Sequence, residues 1–383
     1  MRAALFVSLM AATSITVVAG AQQSTTDGPY AVLKRAKVGG EGGTDYIYAD
    51  AIGRRLYIPR GGMRAVAATD STPARPATPG RMSIYDLDQL TLLGEISGVG
   101  GNGAAVVQGT GHGFSSSKPV SMFDTKSMTL IKTIDVGAAQ PDGILADDLN
   151  GRVYIFSHPT KDAVVIDAKD GTVIGTIDLG GVPEQGVLDG KGLLYVVMQD
   201  AAGSVTVVDT KTMKATAHYP LGDKGGCNGL ALDVKNKILF AACARSGAAV
   251  APGAPAPTAP SGNPATPMMV VLSAVDGKIL ANLPLAGGSD GAAFNPATME
   301  ALSTHANGTM TVVKEESPTR FTVEQNLQTM LGARTLSFDP KTGHIFAMSV
   351  ERGPAPPPPA GGGRGGQAPA IPGSFTILVI GKP

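Results

Sequence analysis

The sequence predicts an all-β fold, a seven-bladed β-propeller of four-stranded blades, on three observations. A unit of four short strands recurs along the chain, it recurs seven times, and an isolated N-terminal strand can complete the last copy. Repeats of about 40 residues that each carry four strands are typical of propeller blades.

The repeat is clearest in the middle of the chain, where residues 141–179 and 183–221 form consecutive copies. Dipeptides such as Asn150-Gly151 and Asp170-Gly171 provide the tight turns that join antiparallel strands. Weaker copies begin near five other residues: Thr44, Gly101, Gly226, Gly288 and Gly332. These seven copies define blades one to seven.

The ends of the chain predict how the ring closes. The seventh copy contains the strands LSFDP, HIFAM and SFTILVIG, one short of a full blade. The segment Tyr30–Val38 resembles the fourth strand of the other copies. We expect it to complete the seventh blade, so that the ring has no open end to pair with another chain.

The N-terminus has the pattern of a secretory signal peptide over residues 1–21. Arg2 precedes an apolar stretch from Ala3 to Val18, and Ala19-Gly20-Ala21 is a small-residue cleavage site. An uncleaved anchor helix is the alternative. Cleavage would leave a mature tail, 22–29, a single propeller, 30–383, and no membrane span. We therefore expect an exported protein, periplasmic or secreted.

Three Pro/Gly-rich inserts interrupt the repeats, at 71–80, 249–267 and 354–373. Each falls between the second and third strands of its blade, in blades one, five and seven. This places all three on one face, which we call the top face. They are either tolerated surface loops or a partial lid over the channel mouth.

Composition and motifs narrow the classes of function. The chain has 383 residues and carries 31 basic and 31 acidic residues, and nucleic-acid binders usually have a basic excess. We expect no nucleic-acid partner, and a monomer. Motifs for nucleotide, haem, zinc-protease or serine-hydrolase chemistry are absent from the sequence, so we predict no cofactor and assign no metal ligand.

The two cysteines, Cys227 and Cys243, both lie in the fifth copy. A hairpin with its turn centred on residue 235 places them opposite each other. Export would permit their oxidation, so we predict a structural disulfide.

One polar position recurs at the start of each first strand, which is the innermost strand of a blade. We call these seven residues the mouth ring: Asp45, Asn102, Asp142, Gln185, Asn228, Asp290 and Arg334. Five of them precede a glycine. They are either capping groups at solvated strand ends or a convergent ligand site, with Glu184 beside them. The carboxylates of Asp45, Asp142 and Asp290 are of the type that binds Ca²⁺. They come from blades one, three and six, which are spread around the axis, so one ion could not easily bind all three.

A second polar set lies at the ends of the second strands: Arg60, Ser115, His158, Gln199, Arg245 and His305. His158 and His305 occupy equivalent positions in blades three and six. Either could act as a general acid or base beside Asp142 or Asp290, although a lone histidine is more often a surface residue.

Phrases such as RVYIFSH, AVVIDAKDGTVIGTIDLGGVPE and LLYVVMQ resemble the repeats of the bacterial YVTN-type, YncE-like seven-bladed propellers. The resemblance covers nearly all of the chain after residue 21, except the inserts. It implies an exported scaffold that binds a ligand or partner. Related propellers include lactonases and lyases, and one branch has been linked to single-stranded DNA, but fold does not determine function.

The sequence therefore predicts binding of a small molecule or a protein partner in the top-face funnel, without defined catalysis. The candidate ligand-binding residues are the mouth ring, Glu184, His158 and His305. The alternative is a lactone hydrolase or lyase that uses funnel histidines or carboxylates, with or without a divalent metal.

Overall fold

A computed structural model describes residues 27–65, 67–68, 74–137, 139–246, 267–354 and 368–383. Over these ranges the chain forms seven four-stranded antiparallel sheets. The predicted signal peptide and much of the three inserts lie outside the described residues. Among the residues described, no helix combines the length and apolar character that a bilayer span requires.

The strands of blades one to three, after the N-terminal strand β1 (Ala31–Lys37), are β2 (Tyr48–Asp50), β3 (Arg55–Arg60), β4 (Arg81–Asp86), β5 (Leu92–Ser97), β6 (Ala104–Val107), β7 (His112–Ser115), β8 (Val120–Asp124), β9 (Thr129–Ile134), β10 (Pro141–Asp147), β11 (Arg152–Ser157), β12 (Asp162–Asp167) and β13 (Val173–Asp178). Those of blades four to seven are β14 (Pro183–Leu188), β15 (Leu193–Met198), β16 (Ser204–Asp209), β17 (Lys214–Pro220), β18 (Lys224–Asp233), β19 (Ile238–Ser246), β20 (Met268–Ser273), β21 (Ile279–Pro284), β22 (Ser289–Asn295), β23 (Glu300–His305), β24 (Thr309–Ser317), β25 (Arg320–Gln328), β26 (Leu336–Asp339), β27 (His344–Ser349) and β28 (Thr376–Gly381).

The N-terminal strand closes the ring, as predicted. Strand β1 pairs antiparallel with β28, from Ala31 opposite Gly381 to Lys37 opposite Thr376. Just before β1, the hydroxyl of buried Tyr30 donates to Glu300 Oε2 of blade six at 2.6 Å. The closing strand is therefore fastened both within its own blade and to the neighbouring one.

The core lies between blades rather than at one centre. Second and third strands such as β11 and β12 are buried along nearly their whole length, because both faces of each sheet pack against a neighbouring blade. Outer strands such as β17 alternate between exposed and half-buried residues. Within the described residues, seven apolar clusters fill the seven junctions between adjacent blades. Each blade thus depends on both neighbours for its burial.

The predicted disulfide is confirmed, and a β-bulge explains its register. Cys227 and Cys243 are bonded and lie opposite each other in β18 and β19. The rest of this hairpin pairs Asp233 with Ile238 and Leu230 with Ala241, so its centre falls between residues 235 and 236. The extra residue that brings the cysteines into register is Asn228, which lies in a bulge between Cys227 and Gly229.

A buried acidic pair joins blades five and six. Glu315 in β24 accepts a hydrogen bond of 2.7 Å from Asn236 Nδ2 in the turn of the blade-five hairpin. Its second oxygen, Oε2, and Oδ2 of Asp233 are both buried without a hydrogen-bond donor. Burial and the neighbouring Asp233 raise the pKa of Glu315 to about 7. A proton held on Glu315 lets the two carboxyl groups share one hydrogen bond.

Candidate functional site: the axial mouth

The backbone places the mouth ring in two ways. In blades three to six the ring residue lies within a β-bulge of the first strand, where the register shifts between Pro141 and Ile144 and at the equivalent steps of the next three blades. In blades one, two and seven the ring residue lies just before the first strand. Bulges redirect side chains out of the regular alternation of a strand. The irregular step therefore turns these polar side chains towards the axis.

The glycine after the ring residue is required where first strands crowd together. A Cβ added to Gly229 would lie 2.9 Å from the backbone nitrogen of Ala292 in the next blade. A Cβ on Gly143 would lie 3.0 Å from the ring of Phe156 and 3.2 Å from the carbonyl oxygen of Glu184. Only glycine fits at such a close approach of backbones.

Four residues of blades three and four, Asp142, His158, Glu184 and Gln199, form what we call the histidine cluster. His158 Nε2 lies 2.9 Å from Asp142 Oδ2 and 3.3 Å from Glu184 Oε1. The Gln199 amide contacts the same Glu184 oxygen and lies 3.4 Å from His158 Nε2. The sequence predicted that His158 could lie beside Asp142, and the structure brings the two into contact.

Each carboxylate of the histidine cluster is also held from behind. Asn102 Nδ2 donates to Asp142 Oδ1 at 2.7 Å, and the Tyr46 hydroxyl donates to Glu184 Oε2 at 3.0 Å. The second oxygen of each carboxylate is the one that faces His158, and on Glu184 the Gln199 amide contacts it as well. Tyr46 did not stand out in the sequence, because its segment, DYIY, resembles an ordinary apolar strand start.

Electrostatics favour a protonated histidine in this cluster. Hydrogen bonds to Asp142 and Glu184 raise the pKa of His158 to about 10, despite its partial burial. Burial raises the pKa of Glu184, although the nearby imidazolium acts in the opposite direction. At neutral pH His158 is therefore an imidazolium that can donate a proton but cannot accept one.

The opposite side of the mouth holds a second group, Arg334, Asp45, Asp290 and Asn228, which we call the arginine cluster. Arg334 bridges two carboxylates, with its NH2 atom 2.8 Å from Asp45 Oδ1 and its Nε atom 2.9 Å from Asp290 Oδ2. Asn228 Nδ2 donates to Asp290 Oδ1 at 2.8 Å. Arg334 is therefore the counter-ion of two acidic residues, while about half of its side chain remains exposed.

Gln185 differs from the other mouth-ring residues in that its amide makes three hydrogen bonds to the backbone of blades five and six. Its Oε1 accepts from the backbone nitrogens of Leu230 and Ala292, and its Nε2 donates to the carbonyl of Ala292 at 2.8 Å. These bonds link blade four to blades five and six. The arrangement gives Gln185 a structural role beneath the mouth.

The second polar set divides between mouth and core. His158 and Gln199 face the mouth, whereas Arg60, Ser115 and His305 are buried. His305 Nδ1 lies 2.9 Å from Thr309 Oγ1, and burial lowers its pKa to about 3. His305 is thus a neutral core residue, unlike its equivalent His158. The side chain of Arg245 lies outside the described part of the chain.

The space beneath the mouth is small. A cavity of about 150 Å³ is lined by Glu184, Asp290 and Leu336 of three first strands, by Tyr46 just before β2, and by Phe156 of the second strand β11. Pockets for drug-sized ligands are usually about 300–1,000 Å³. A larger cavity of about 450 Å³ lies near the first insert, but its lining residues Arg81 and Glu95 already pair at 2.8 Å. The mouth is suited to a small occupant.

Three residues of the histidine cluster have a geometry compatible with a metal ion. One ligand atom each from Asp142, His158 and Glu184 lies within 4.8 Å of the other two. The three residues were predicted as ligand-binding residues, but the sequence did not identify them as a set. Their grouping depends on bulges in two different blades.

Comparisons with known proteins support the fold and leave the function open. No protein-family model matches the chain, and no curated protein matches it by sequence. Among solved structures, a chain described as Kuenenia stuttgartiensis hydrazine synthase is similar, with 16% identity, a TM-score of 0.64, and coverage of 85% of this chain and 94% of that one. A chain of a mitotic checkpoint complex is also similar, with 10% identity, a TM-score of 0.63, and coverage of 90% and 95%. At these identities the likeness shows a shared fold and no more.

Proposed function

We propose that this protein is a binding propeller that takes up a small, positively charged ligand at its axial mouth. The observation that carries the proposal is the charge balance of the two clusters. Four carboxylates, on Asp45, Asp142, Glu184 and Asp290, face two cations, Arg334 and His158. With all six groups ionised, the mouth has a net charge of −2, and a concave site with an excess of one sign of charge attracts ligands of the opposite sign.

The geometry supports a small ligand rather than a large one. The cavity beneath the mouth holds about 150 Å³, and Glu184 is nearly buried while His158 is about one-third exposed. A ligand would therefore contact polar groups at the rim and fill little apolar space. A compact amine or a hydrated cation fits this description better than an extended organic molecule.

The test is a binding screen that compares positively charged, negatively charged and neutral small molecules. Isothermal titration calorimetry and thermal shift would compare small amines such as choline and putrescine with citrate and with glucose. We expect the amines to bind and Asp142→Asn to weaken them. Arg334→Gln should tighten amine binding by roughly 15-fold, because a unit charge about 10 Å away at an effective dielectric constant of about 20 contributes roughly 1.7 kcal/mol. Binding of citrate alone, abolished by Arg334→Gln, would overturn the proposal.

A second candidate, a lactone hydrolase or lyase, draws on one observation, the contact of His158 with two carboxylates. An imidazolium with a raised pKa is a candidate general acid, able to protonate a leaving alcohol. A panel of lactones assayed with wild type and Asp142→Asn would test this function. Turnover that survives the substitution would not involve the histidine cluster.

We also infer that the protein is exported and related to the YVTN-type propellers. The Cys227–Cys243 disulfide supports export, because disulfides persist mainly in oxidising compartments. The intact mass of the protein from an exported fraction would report cleavage after Ala21. It would also report the loss of two hydrogens on disulfide formation.

A further inference from the structure

We propose that the histidine cluster is a site for a divalent transition-metal ion, with His158 Nε2, Asp142 Oδ2 and Glu184 Oε1 as the protein ligands. The inference deepens the proposed function, because the metal would be the cation at one side of the mouth. It rests on the arrangement of donor atoms, on the hydrogen bonds behind them, and on their charge.

The donor atoms have the spacing of a coordination sphere. Ions such as Zn²⁺ bind histidine nitrogen and carboxylate oxygen at about 2.0–2.2 Å in a tetrahedral arrangement, which places neighbouring ligand atoms about 3.3–3.6 Å apart. His158 Nε2 lies 2.9 Å from Asp142 Oδ2 and 3.3 Å from Glu184 Oε1. A metal between them requires the His158–Asp142 pair to separate by about 0.4 Å, and all three ligand atoms already lie within 4.8 Å of one another.

The hydrogen bonds behind the carboxylates favour one ligand atom from each. Asn102 Nδ2 binds Asp142 Oδ1, and the Tyr46 hydroxyl binds Glu184 Oε2, so the other oxygen of each group points inward. Hydrogen bonds that orient carboxylate ligands in this way are a regular feature of protein metal sites. A plain ion pair between His158 and two carboxylates would not require both outer oxygens to be held.

Charge and ligand type select the class of metal. A metal ion that binds His158 Nε2 displaces the proton held there, and the resulting neutral imidazole with two carboxylates carries two negative charges, which a divalent cation neutralises. The nitrogen ligand favours zinc and similar transition ions, whereas Ca²⁺ and Mg²⁺ prefer sites made of oxygen alone. The Gln199 amide, 3.4 Å from His158 Nε2, can offer its oxygen as a further ligand after rotation of the amide.

The experiment uses the mature protein, treated with chelator and dialysed, and then titrated with Zn²⁺ under native mass spectrometry and calorimetry. We expect one zinc per chain. His158→Ala and Asp142→Asn should abolish that binding, and Asn102→Ala should weaken it by about 10- to 100-fold. The control is His218→Ala, because His218 is an exposed histidine on outer strand β17 and should leave zinc binding unchanged.

X-ray absorption of the wild-type zinc complex provides a result that does not depend on how any variant folds. We expect a shell with one imidazole and otherwise oxygen ligands. No zinc uptake, a shell with two or more imidazoles, or binding that persists in a folded His158→Ala variant would overturn the proposal.

Zinc binding also separates this inference from the proposed function. Arg334→Gln should keep one bound zinc while changing the affinity for amines. Amine binding without zinc binding would therefore refute the metal site alone. Zinc binding with no amine binding would leave the metal as the occupant of the mouth.

Discussion

Replacing Glu315 by glutamine should change how the stability of the propeller depends on pH. Glu315 is buried at the junction of blades five and six, where its Oε2 lacks a donor and Asp233 lies nearby. In the folded protein its pKa is about 7, against an ordinary value of 4.5. Because the folded state holds this proton more tightly, the contribution of Glu315 to stability is fully present below pH 4.5 and is lost as the pH rises through about 7.

The size of the effect follows from the shift in pKa. A difference of one pKa unit corresponds to about 1.4 kcal/mol, so this group lowers the free energy of unfolding by up to about 3 kcal/mol between pH 4.5 and pH 8. Glutamine cannot ionise, and it can still accept the 2.7 Å hydrogen bond from Asn236. Glu315→Gln should therefore remove this loss and be the more stable protein at pH 8.

The assay is urea unfolding of wild type and Glu315→Gln at pH 4.5, 6 and 8. The control is Glu316→Gln, because the neighbouring Glu316 is exposed and pairs with Arg320 at 2.7 Å on the surface. We expect the stability difference between wild type and Glu315→Gln to change by up to about 3 kcal/mol across this range, and the control difference to stay nearly constant. Parallel profiles for wild type and Glu315→Gln would refute the reasoning.

Three further predictions concern the framework. Removing the disulfide with Cys227→Ser and Cys243→Ser should lower stability by about 3 kcal/mol, since the bond closes a loop with a sequence separation of 16, measurable by urea unfolding. Gly229→Ala should cost about 1–3 kcal/mol in the same assay, because its Cβ would lie 2.9 Å from the backbone nitrogen of Ala292. Tyr30→Phe should lower the unfolding free energy by about 2 kcal/mol by deleting the hydrogen bond to the Glu300 carboxylate.

Each of these three stability predictions has a control variant or an outcome that would contradict it. Gly109→Ala is the matched control for the glycine, because a Cβ there would meet nothing within 4 Å, and a similar loss in both variants would argue against crowding. An unchanged urea midpoint after reduction of the disulfide would contradict its stabilising role. Equal stability of Tyr30→Phe and wild type would mean that the closing strand does not depend on this bond.

The number of blades, the closure of the ring and the positions of the mouth ring could be predicted because they depend on periodicity. Every blade repeats its strands and its polar position, so even a weak copy can be aligned with a strong one. The cysteine pairing was also predicted, although the centre of the turn lies half a residue beyond residue 235. The bulge at Asn228 restores the pairing, and a count of residues from the turn does not reveal it.

The chemistry of the mouth could be predicted only in part. His158 and His305 occupy equivalent positions, yet one lies among carboxylates and the other is sealed beside Thr309. The difference comes from neighbouring blades, which contribute Glu184 to one site but no equivalent acid to the other among the described residues. Contacts between blades, including the hydroxyl of Tyr46, follow from packing rather than from the repeat.

The antiparallel pairing that closes the ring determines how the molecule responds to mechanical tension. Ala31 and Gly381 lie side by side, so the segments that lead to both ends of the propeller depart from the same end of the β1–β28 pair. A force that separates these segments would break the hydrogen bonds between β1 and β28 one after another, starting at Ala31 and Gly381. It would not load all of these hydrogen bonds at the same time. Seventh-blade opening would then release first the contacts of Tyr30 with Glu300, and only later the junctions near the mouth.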